Sequence, residues 1–321
     1  MTGPMRFALM CEPQQGLSYA EILALARTAE DAGIEAFFRS DHYSSFPGEA
    51  GQPTTDAWTT LAGLARDTTR IRLGALVSPV TFRIPGSLAK VVATTDEMSG
   101  GRVEFGMGAG WNEGEHHEHG IPFPPLGERY DRLEEALAII HGLWTEPDGW
   151  SFAGTHWQVR AARFRPKPTF AVGRHTHLIL GGDGGPRLSR LVATYADEFN
   201  RGSASPDLAR EAYDNVRSAC STIRRDPETV VLSAMVGVLV GESERDVNDR
   251  VRAVLEVTGA TEDAQAWLAE RRGRWIMGTP DEAWERVRAF ESVGAQRIML
   301  QTFLPRDLEM VRLIGAIFSS G

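Results

Sequence analysis

Short apolar runs alternate with amphipathic segments from the first residues of the chain to the last. This alternation is typical of parallel strands joined by crossover helices. Eight runs have the length of a buried strand, and eight parallel strands close into a barrel. The predicted strands are Arg6–Cys11, Glu35–Arg39, Ile71–Val77, Val103–Gly108, His177–Gly181, Asp197–Asn200, Leu232–Val240 and Arg297–Phe303.

Helical periodicity fills the intervals between the strands, and two of the helices have explicit start signals. Ser18 precedes the first helix with Glu21 three residues later, which is a capping box. Thr279 precedes Pro280, so a cap is followed by proline at the first helical position. The predicted helices are Tyr19–Ala32, Thr55–Asp67, Gly86–Met98, Glu128–Trp144, Gly185–Thr194, Asp207–Arg224, Glu244–Thr258, Pro280–Val293 and Leu308–Phe318.

Three excursions interrupt the alternation. Residues 108–126 read as a long polar and proline-rich loop rather than a helix, residues 150–168 contain a β-like piece, and residues 262–274 read as a helical insertion. No low-complexity segment or linker marks a domain boundary. We therefore expect residues 1–321 to form one α/β domain, a (β/α)8 TIM barrel with insertions.

The net charge of the chain indicates which classes of partner it can bind. The formal net charge of the 321 residues is -9, whereas a nucleic-acid surface needs clustered cations that displace phosphate counterions. No apolar run approaches the roughly 18 residues of a membrane span. We expect a soluble, cytoplasmic protein with a small-molecule partner and neither a nucleic-acid nor a membrane partner.

Cys11 and Cys220 are the only cysteines, and we expect two buried thiols.

Catalytic groups of a parallel barrel come from the C-terminal ends of its strands and the loops that follow. Asp41 and His42 follow the second predicted strand directly. His42 should therefore point into the barrel mouth, where an imidazole exchanges a proton near neutral pH, and Asp41 is close enough to orient it. The competing interpretation is an ordinary histidine paired with its neighbouring acid.

The glycines after the fourth predicted strand imitate a dinucleotide-binding loop. That loop needs Gly-x-Gly-x-x-Gly between a strand and a helix, but Trp111 stands in the third glycine position. The turn Gly108-Ala109-Gly110 still lets a ligand approach the backbone, and Trp111 would wall the pocket. The alternative is a tight turn with a packed tryptophan.

A second glycine-rich turn links the fifth predicted strand to a helix. Glycines before a helix N-terminus expose N–H groups in a positive field, which suits a phosphate. Arg187 would add a charge-assisted contact, whereas Asp183 would repel a phosphate unless it points away. We interpret the turn as an anion site rather than a flexible link. Its residues are Gly181, Gly182, Asp183, Gly184, Gly185 and Arg187.

Metal and Schiff-base chemistry lack their usual motifs. His116, His117 and His119 are bunched in the long loop, but no His-Glu-x-x-His is present. A solvated loop explains them best, and we expect no metal. A Schiff-base enzyme needs a lysine at a strand end, whereas Lys90 falls in a predicted helix and Lys167 between two prolines.

Several of these motifs, in this order, resemble the luciferase-like flavin and deazaflavin oxidoreductases, and within them the branch that uses the deazaflavin coenzyme F420. The resemblance covers essentially the whole chain. Its motifs are Ser40–His42, Pro79–Arg83, Asp96–Arg102, Gly108–Glu113, Gly181-Gly182, Tyr195–Asp197 and Gly278–Pro280.

The resemblance implies a bacterial luciferase-like barrel and a cofactor site. A non-prolyl cis peptide at Leu76-Val77, followed by Ser78, would support the central flavin ring. The turn from Gly108 to Asn112 would form one wall of the site, and the Gly181-Gly182 turn would hold the phosphate. His42 matches the proton-transfer group of deazaflavin-dependent dehydrogenases.

The implied reaction is hydride transfer between F420 and a small organic substrate. Sugar-phosphate dehydrogenases of this family carry a glutamate directly after the Gly-x-Gly turn, where this chain has Trp111, so we expect a more apolar substrate. One alternative is a monooxygenase that uses reduced FMN and oxygen. Another is a cofactor-binding protein without activity. Family members are often homodimers, and we expect one here.

Overall fold

The computed structural model describes residues 3–169 and 175–319, and parallel strands form its centre. All eight predicted strands are confirmed, with ends that shift by one or two residues. The strands are β1 (Arg6–Cys11), β2 (Ala36–Arg39), β3 (Arg72–Pro79), β4 (Val103–Gly108), β5 (Trp150–Ala153), β6 (Gln158–Ala162), β7 (His177–Gly182), β8 (Glu198–Arg201), β9 (Val231–Val240), β10 (Ile276–Gly278) and β11 (Arg297–Thr302).

Eight of these strands close into the predicted TIM barrel. Their order around the barrel is β1-β2-β3-β4-β7-β8-β9-β11, and β11 returns to β1 in parallel register. The helices surround this barrel. They are α1 (Tyr19–Asp31), α2 (Ala57–Asp67), α3 (Pro85–Ser99), α4 (Glu113–Glu118), α5 (Leu126–Thr145), α6 (Pro186–Tyr195), α7 (Pro206–Thr222), α8 (Glu244–Thr258), α9 (Ala264–Arg272), α10 (Pro280–Glu291) and α11 (Leu308–Phe318).

The three excursions fold locally. The strands β5 and β6 form an antiparallel hairpin, and α9 is the predicted helical insertion. The prediction of a loop throughout residues 108–126 is wrong, because α4 lies inside it. Ser18 forms the predicted capping box, and Thr279, predicted as a cap, forms a capping box with Glu282.

Two expectations from composition can be compared with the structure. Cys11 and Cys220 are both buried and unpaired, as predicted. No helix within the described ranges is long and apolar enough to cross a bilayer.

A buried charge network closes the N-terminal end of the barrel. Arg297 on β11 donates hydrogen bonds to Glu104 on β4 (2.6 Å) and to Glu198 on β8 (3.1 Å), and all three side chains are buried. Burial alone would raise the pKa of Glu104, but the Arg297 guanidinium holds it well below its usual range. Glu104, Glu198 and His177 have potential ligand atoms within 4.8 Å of one another. Arg297 and Arg72, whose Nε donates to Glu104, together supply two positive charges beside these two carboxylates.

The end of β3 departs from regular pairing and forms a bulge. The register with β4 shifts between Ala75 and Ser78. The peptide between Leu76 and Val77 is cis, as the resemblance implied. This bulge lies at the C-terminal end of the barrel, opposite the charge network.

Glycines on two neighbouring strands make room for the Val77 side chain. A Cβ atom added at Gly108 would lie 2.7 Å from Val77 Cγ2, and one at Gly181 would lie 2.8 Å from Val77 Cγ1. A Cβ at Gly106 would lie 3.1 Å from the same Cγ1. Gly108 and Gly181 have no positive φ, so these positions require space rather than an unusual backbone. Glycine within a strand is typical of such a close approach.

We expect Gly181→Ala to lower the free energy of unfolding by about 1–3 kcal/mol, the usual cost of overpacking, because its methyl would press on Val77. Val77→Ala removes both γ-carbons, so the double variant should lose at least about 1 kcal/mol less than the two single variants together. Urea unfolding measures all three. Gly273→Ala is the control, since its backbone is in the right-handed helical region and a Cβ there meets nothing within 4 Å. If the losses of unfolding free energy in the two single variants simply added in the double variant, Gly181 would not be needed to make room for Val77.

Candidate active site

A cavity of about 650 Å³ opens at the C-terminal ends of the barrel strands. Its size falls in the range of small-molecule and cofactor sites. The structure brings most of the predicted site residues together around it. These are Asp41, His42, Leu76, Val77, Gly108, Ala109, Gly110, Trp111, Gly181, Gly182 and Asp183.

Five predicted site residues lie outside the cavity lining. Ser78 is buried, and its hydroxyl accepts a hydrogen bond from Trp58 Nε1 (2.9 Å). The Asn112 side chain caps α4. The Gly184 carbonyl accepts a hydrogen bond from Ser189, and Gly185 is the N-cap of α6. The fifth, Arg187, has different partners from those predicted.

His42 forms a pair with Glu115 rather than with its neighbour in sequence. Nδ1 of His42 lies 2.9 Å from Glu115 Oε1, and the Glu115 side chain is only 2% exposed. The other carboxylate oxygen accepts a hydrogen bond from the Tyr43 backbone N–H (3.0 Å). Because both oxygens are held, the carboxylate is fixed. Nε2 of His42 has no hydrogen-bond partner among the residues that the structure describes, and it remains available to the cavity.

The predicted role of Asp41 in orienting His42 is wrong. Arg83 takes both carboxylate oxygens of Asp41, with Nη1 at 2.5 Å from Oδ2 and Nη2 at 3.1 Å from Oδ1. Burial alone would lower the pKa of Arg83, but the Asp41 carboxylate raises it above its ordinary value. The Asp41–Arg83 pair anchors the segment that carries His42, and it leaves the imidazole to Glu115.

The helix α4 places Glu115 and is itself held by a buried histidine. His116 is fully buried, with Nε2 2.7 Å from Thr81 Oγ1 and Nδ1 2.6 Å from the Asn112 carbonyl. The interpretation of the histidine cluster as a solvated loop therefore fails for His116, although His117 is exposed. Asn112 followed three residues later by Glu115 is a helix-start signal, and it would have predicted α4.

Sequence reasoning also missed Arg129, in the first turn of α5. Its side chain lines the cavity and is buried, yet Nε and Nη1 have no hydrogen-bond partner within the described residues. The guanidinium carbon lies 3.9 Å from the centre of the Phe123 ring. A buried donor without a partner is costly, and this guanidinium has two such donors in a side chain that lines the cavity. A helix position by itself did not show which way the side chain faces.

The predicted anion contact of Arg187 is not supported. Arg187 donates to Asp131 and to the Gly127 carbonyl, both on α5, so its charge is used outside the cavity. The predicted repulsion by Asp183 is also offset, because Arg201 lies 2.9 Å from its carboxylate. Among the described arginines that line the cavity, Arg129 is the one whose Nε and Nη1 have no hydrogen-bond partner.

The opposite side of the mouth is acidic. In the barrel order β1 lies across from β7, and Glu12 follows β1. The Glu12 carboxylate is buried and accepts hydrogen bonds from the side-chain amides of Gln14 (2.6 Å) and Gln301 (2.5 Å). Ser40 donates in turn to the Gln14 amide oxygen (2.6 Å). The mouth is therefore cationic at one end and anionic at the other.

Aromatic rings form the rim nearest His42. The ring centres of Phe46 and Trp111 lie 5.6 Å apart, and those of His42 and Trp111 lie 5.7 Å apart. Trp111 is 68% exposed and lines the cavity, which agrees with the predicted wall and not with the alternative of a packed tryptophan. The site thus combines a buried guanidinium with free donors, an apolar bulge and a histidine paired with a buried carboxylate.

Comparison with known proteins assigns the family. Residues 5–297 match the luciferase-like monooxygenase family. A relative in Beutenbergia cavernae, an F420-dependent glucose-6-phosphate dehydrogenase, is 33% identical over 298 residues, which cover 85% of this chain and 84% of the relative. The pyrimidine monooxygenase RutA of Stutzerimonas stutzeri is 28% identical over 255 residues, which cover 77% of this chain and 68% of the relative.

A solved structure shares the fold over nearly the full length. An F420-dependent secondary alcohol dehydrogenase, solved with an F420-acetone adduct, superimposes with a TM-score of 0.80 at 18% identity, covering 98% of this chain and 99% of that one. At this identity the likeness concerns the fold. The family match and the 33% identical relative carry the assignment: this chain belongs to the luciferase-like monooxygenase family and is an oxidoreductase of that family.

Proposed function

We propose that this protein transfers a hydride between bound coenzyme F420 and a small, apolar organic substrate, with His42 as the proton-transfer group. The observation that carries the proposal is the His42–Glu115 pair, because its 2.9 Å contact engages Nδ1 and leaves Nε2 of this cavity-lining residue without a partner among the described residues. When bound, the deazaflavin supplies or accepts the hydride. The protein's part is to seat the cofactor, orient the substrate and move one proton.

The unpartnered guanidinium of Arg129 supports the cofactor seat. Its free Nε and Nη1 would hold the cofactor phosphate, together with backbone groups of the Gly181-Gly182 turn. The bulge at Leu76-Val77 would support the flat ring. These groups all line one cavity, so the residues present fit an anionic cofactor with a planar ring.

Glu115 sets the state in which His42 works. An ionised carboxylate accepts the Nδ1–H, so Nε2 is the nitrogen that gains or loses the proton. The Tyr43 N–H fixes the second carboxylate oxygen, which limits rotation of the pair. A carbonyl that receives a hydride also needs a proton, and His42 is placed to give it.

The second candidate is an FMN-dependent monooxygenase. The same anion seat and ring support would suit FMN, and the pyrimidine monooxygenase relative belongs to that class. The His42–Glu115 pair favours the deazaflavin reaction, because a carbonyl that accepts a hydride also needs a proton, which this pair would supply. A binding protein without activity is the third alternative, and turnover of any substrate would exclude it.

Separate titrations with F420 and with FMN test the cofactor. We expect saturable quenching of protein fluorescence by F420, with a Kd at least about tenfold below that for FMN. The reverse order of affinity would contradict the F420 assignment and favour the monooxygenase.

Replacing either member of the pair tests the proton-transfer role. The substrate for this test is the compound that the wild-type protein turns over fastest in a panel of ketones, enones and quinones. His42→Ala should lower kcat by about 10²–10⁴-fold, the usual contribution of a general acid or base. Glu115→Gln should lower it by about 10–100-fold, as expected for a residue that orients another. The Kd for the cofactor should stay nearly constant.

The exposed neighbours His117 and Glu113 on the same helix offer matched controls. We expect His117→Ala and Glu113→Gln to leave kcat unchanged. Normal turnover in His42→Ala would remove this histidine from the mechanism. An equal loss of kcat in the control variants would show that the variants act by disturbing α4.

A comparison of two arginines tests the phosphate seat. Arg129→Met should weaken F420 binding by about 10–100-fold, because a hydrogen bond to a charged group is worth roughly 1.5–3 kcal/mol. Arg187→Met should change it little, since Arg187 is paired with α5. Fluorescence titration measures both. Loss of binding in Arg187→Met alone would restore the role predicted for Arg187.

A further inference from the structure

We propose that the substrate is an uncharged, flat molecule that stacks on Trp111, and that Glu12 excludes anionic substrates. The inference rests on the proposed function in that the substrate lies beside His42. The binding experiment below does not depend on which cofactor is used.

Trp111 presents a large apolar surface at the place where a substrate would enter. Its side chain is 68% exposed while it lines the cavity. Leu126, another exposed residue of this lining, is 54% exposed. Exposed apolar side chains grouped at a cavity rim mark a binding surface, and an indole offers rigid contact area with one polar atom. A flat apolar ligand would cover this surface.

The neighbouring rings direct such a ligand toward His42. Phe46, Trp111 and His42 form an aromatic corner, with interplanar angles of 83°, 78° and 76° between the three pairs. Edge-to-face packing of this kind holds each ring in place. Because His42 is one side of the aromatic corner, a molecule packed on Trp111 is next to the proton-transfer group.

The charges of the cavity disfavour an anionic substrate. Among the described lining residues the arginines are Arg129 and Arg201. Arg129 is assigned to the cofactor phosphate, and Arg201 is paired with Asp183. The two lysines donate to backbone carbonyls, Lys90 to that of Arg165 and Lys167 to those of Leu143 and Glu146, and neither lines the cavity.

Glu12 places a buried carboxylate in the lining of the cavity, and no described residue forms an ion pair with it. Its two hydrogen-bond donors are the neutral amides of Gln14 and Gln301. An anionic group brought beside this buried carboxylate would be repelled more strongly than in water. An uncharged substrate avoids this repulsion, and a phosphorylated substrate would meet it.

Equilibrium dialysis with two quinones of similar shape tests the inference. The protein is loaded with whichever of F420 or FMN it binds, and the probes are menadione and 1,4-naphthoquinone-2-sulfonate. We expect menadione to bind at least about tenfold more tightly, a difference of roughly 1.4 kcal/mol. Trp111→Ala should weaken menadione binding by about tenfold, and Trp111→Phe should restore most of it.

Two further variants separate stacking from charge. Ile84 is 67% exposed but does not line the cavity, so Ile84→Ala should leave both affinities unchanged. Glu12→Gln should improve binding of the sulfonate and narrow the difference between the quinones by at least about threefold.

Equal or tighter binding of the sulfonate would overturn the inference. Unchanged menadione binding in Trp111→Ala, or no saturable menadione binding to the wild-type protein, would overturn it as well. A preference for FMN over F420 would instead overturn the proposed hydride transfer and leave the result of the dialysis standing.

Discussion

The seating of Val77 among glycines of two neighbouring strands is the constraint on which the site depends. A side chain at Gly108 or Gly181 would come within 3 Å of Val77, so the bulge at the end of β3 exists only because β4 and β7 give way to it. This explains the false dinucleotide pattern of the sequence. Gly106 and Gly108 belong to no Rossmann turn. A Cβ at Gly106 would lie 2.2 Å from the Ala75 carbonyl oxygen, and Gly108 makes room for the Val77 side chain.

The functional groups of the mouth come largely from one excursion of the chain. The segment between β4 and the first turn of α5 carries Trp111 at the rim of the cavity, Glu115 as the partner of His42, and Arg129 with its unpartnered donors. The barrel contributes the support and His42. Its floor is closed by Arg297 between two buried glutamates, so ligands have access from the other end.

The sequence was sufficient for the barrel because strand alternation and helix caps are local signals. Partner choice is not local. Asp41 is the acid nearest to His42 in sequence, yet Glu115, 73 residues away, forms the pair, because Arg83 engages Asp41 first. Arg187 follows the glycine turn, but it donates hydrogen bonds to Asp131 and the Gly127 carbonyl of α5. Nε and Nη1 of Arg129 have no hydrogen-bond partner among the described residues. Neither choice of partner could be predicted from the sequence, because it depends on which helices and loops pack against one another. The position of His42 was predictable because it directly follows the second strand, and the cis peptide at Leu76-Val77 was predictable from the resemblance to a known family.

A crystal structure of the protein with oxidised F420 tests the central claim most directly. The reactive ring carbon should lie within roughly 3–4 Å of the space that His42 Nε2 faces, close enough for a substrate to meet both. The phosphate should contact Arg129, and the ring should rest on Val77. A ring turned with its reactive carbon away from His42, or a phosphate bound at Arg187, would contradict the claim.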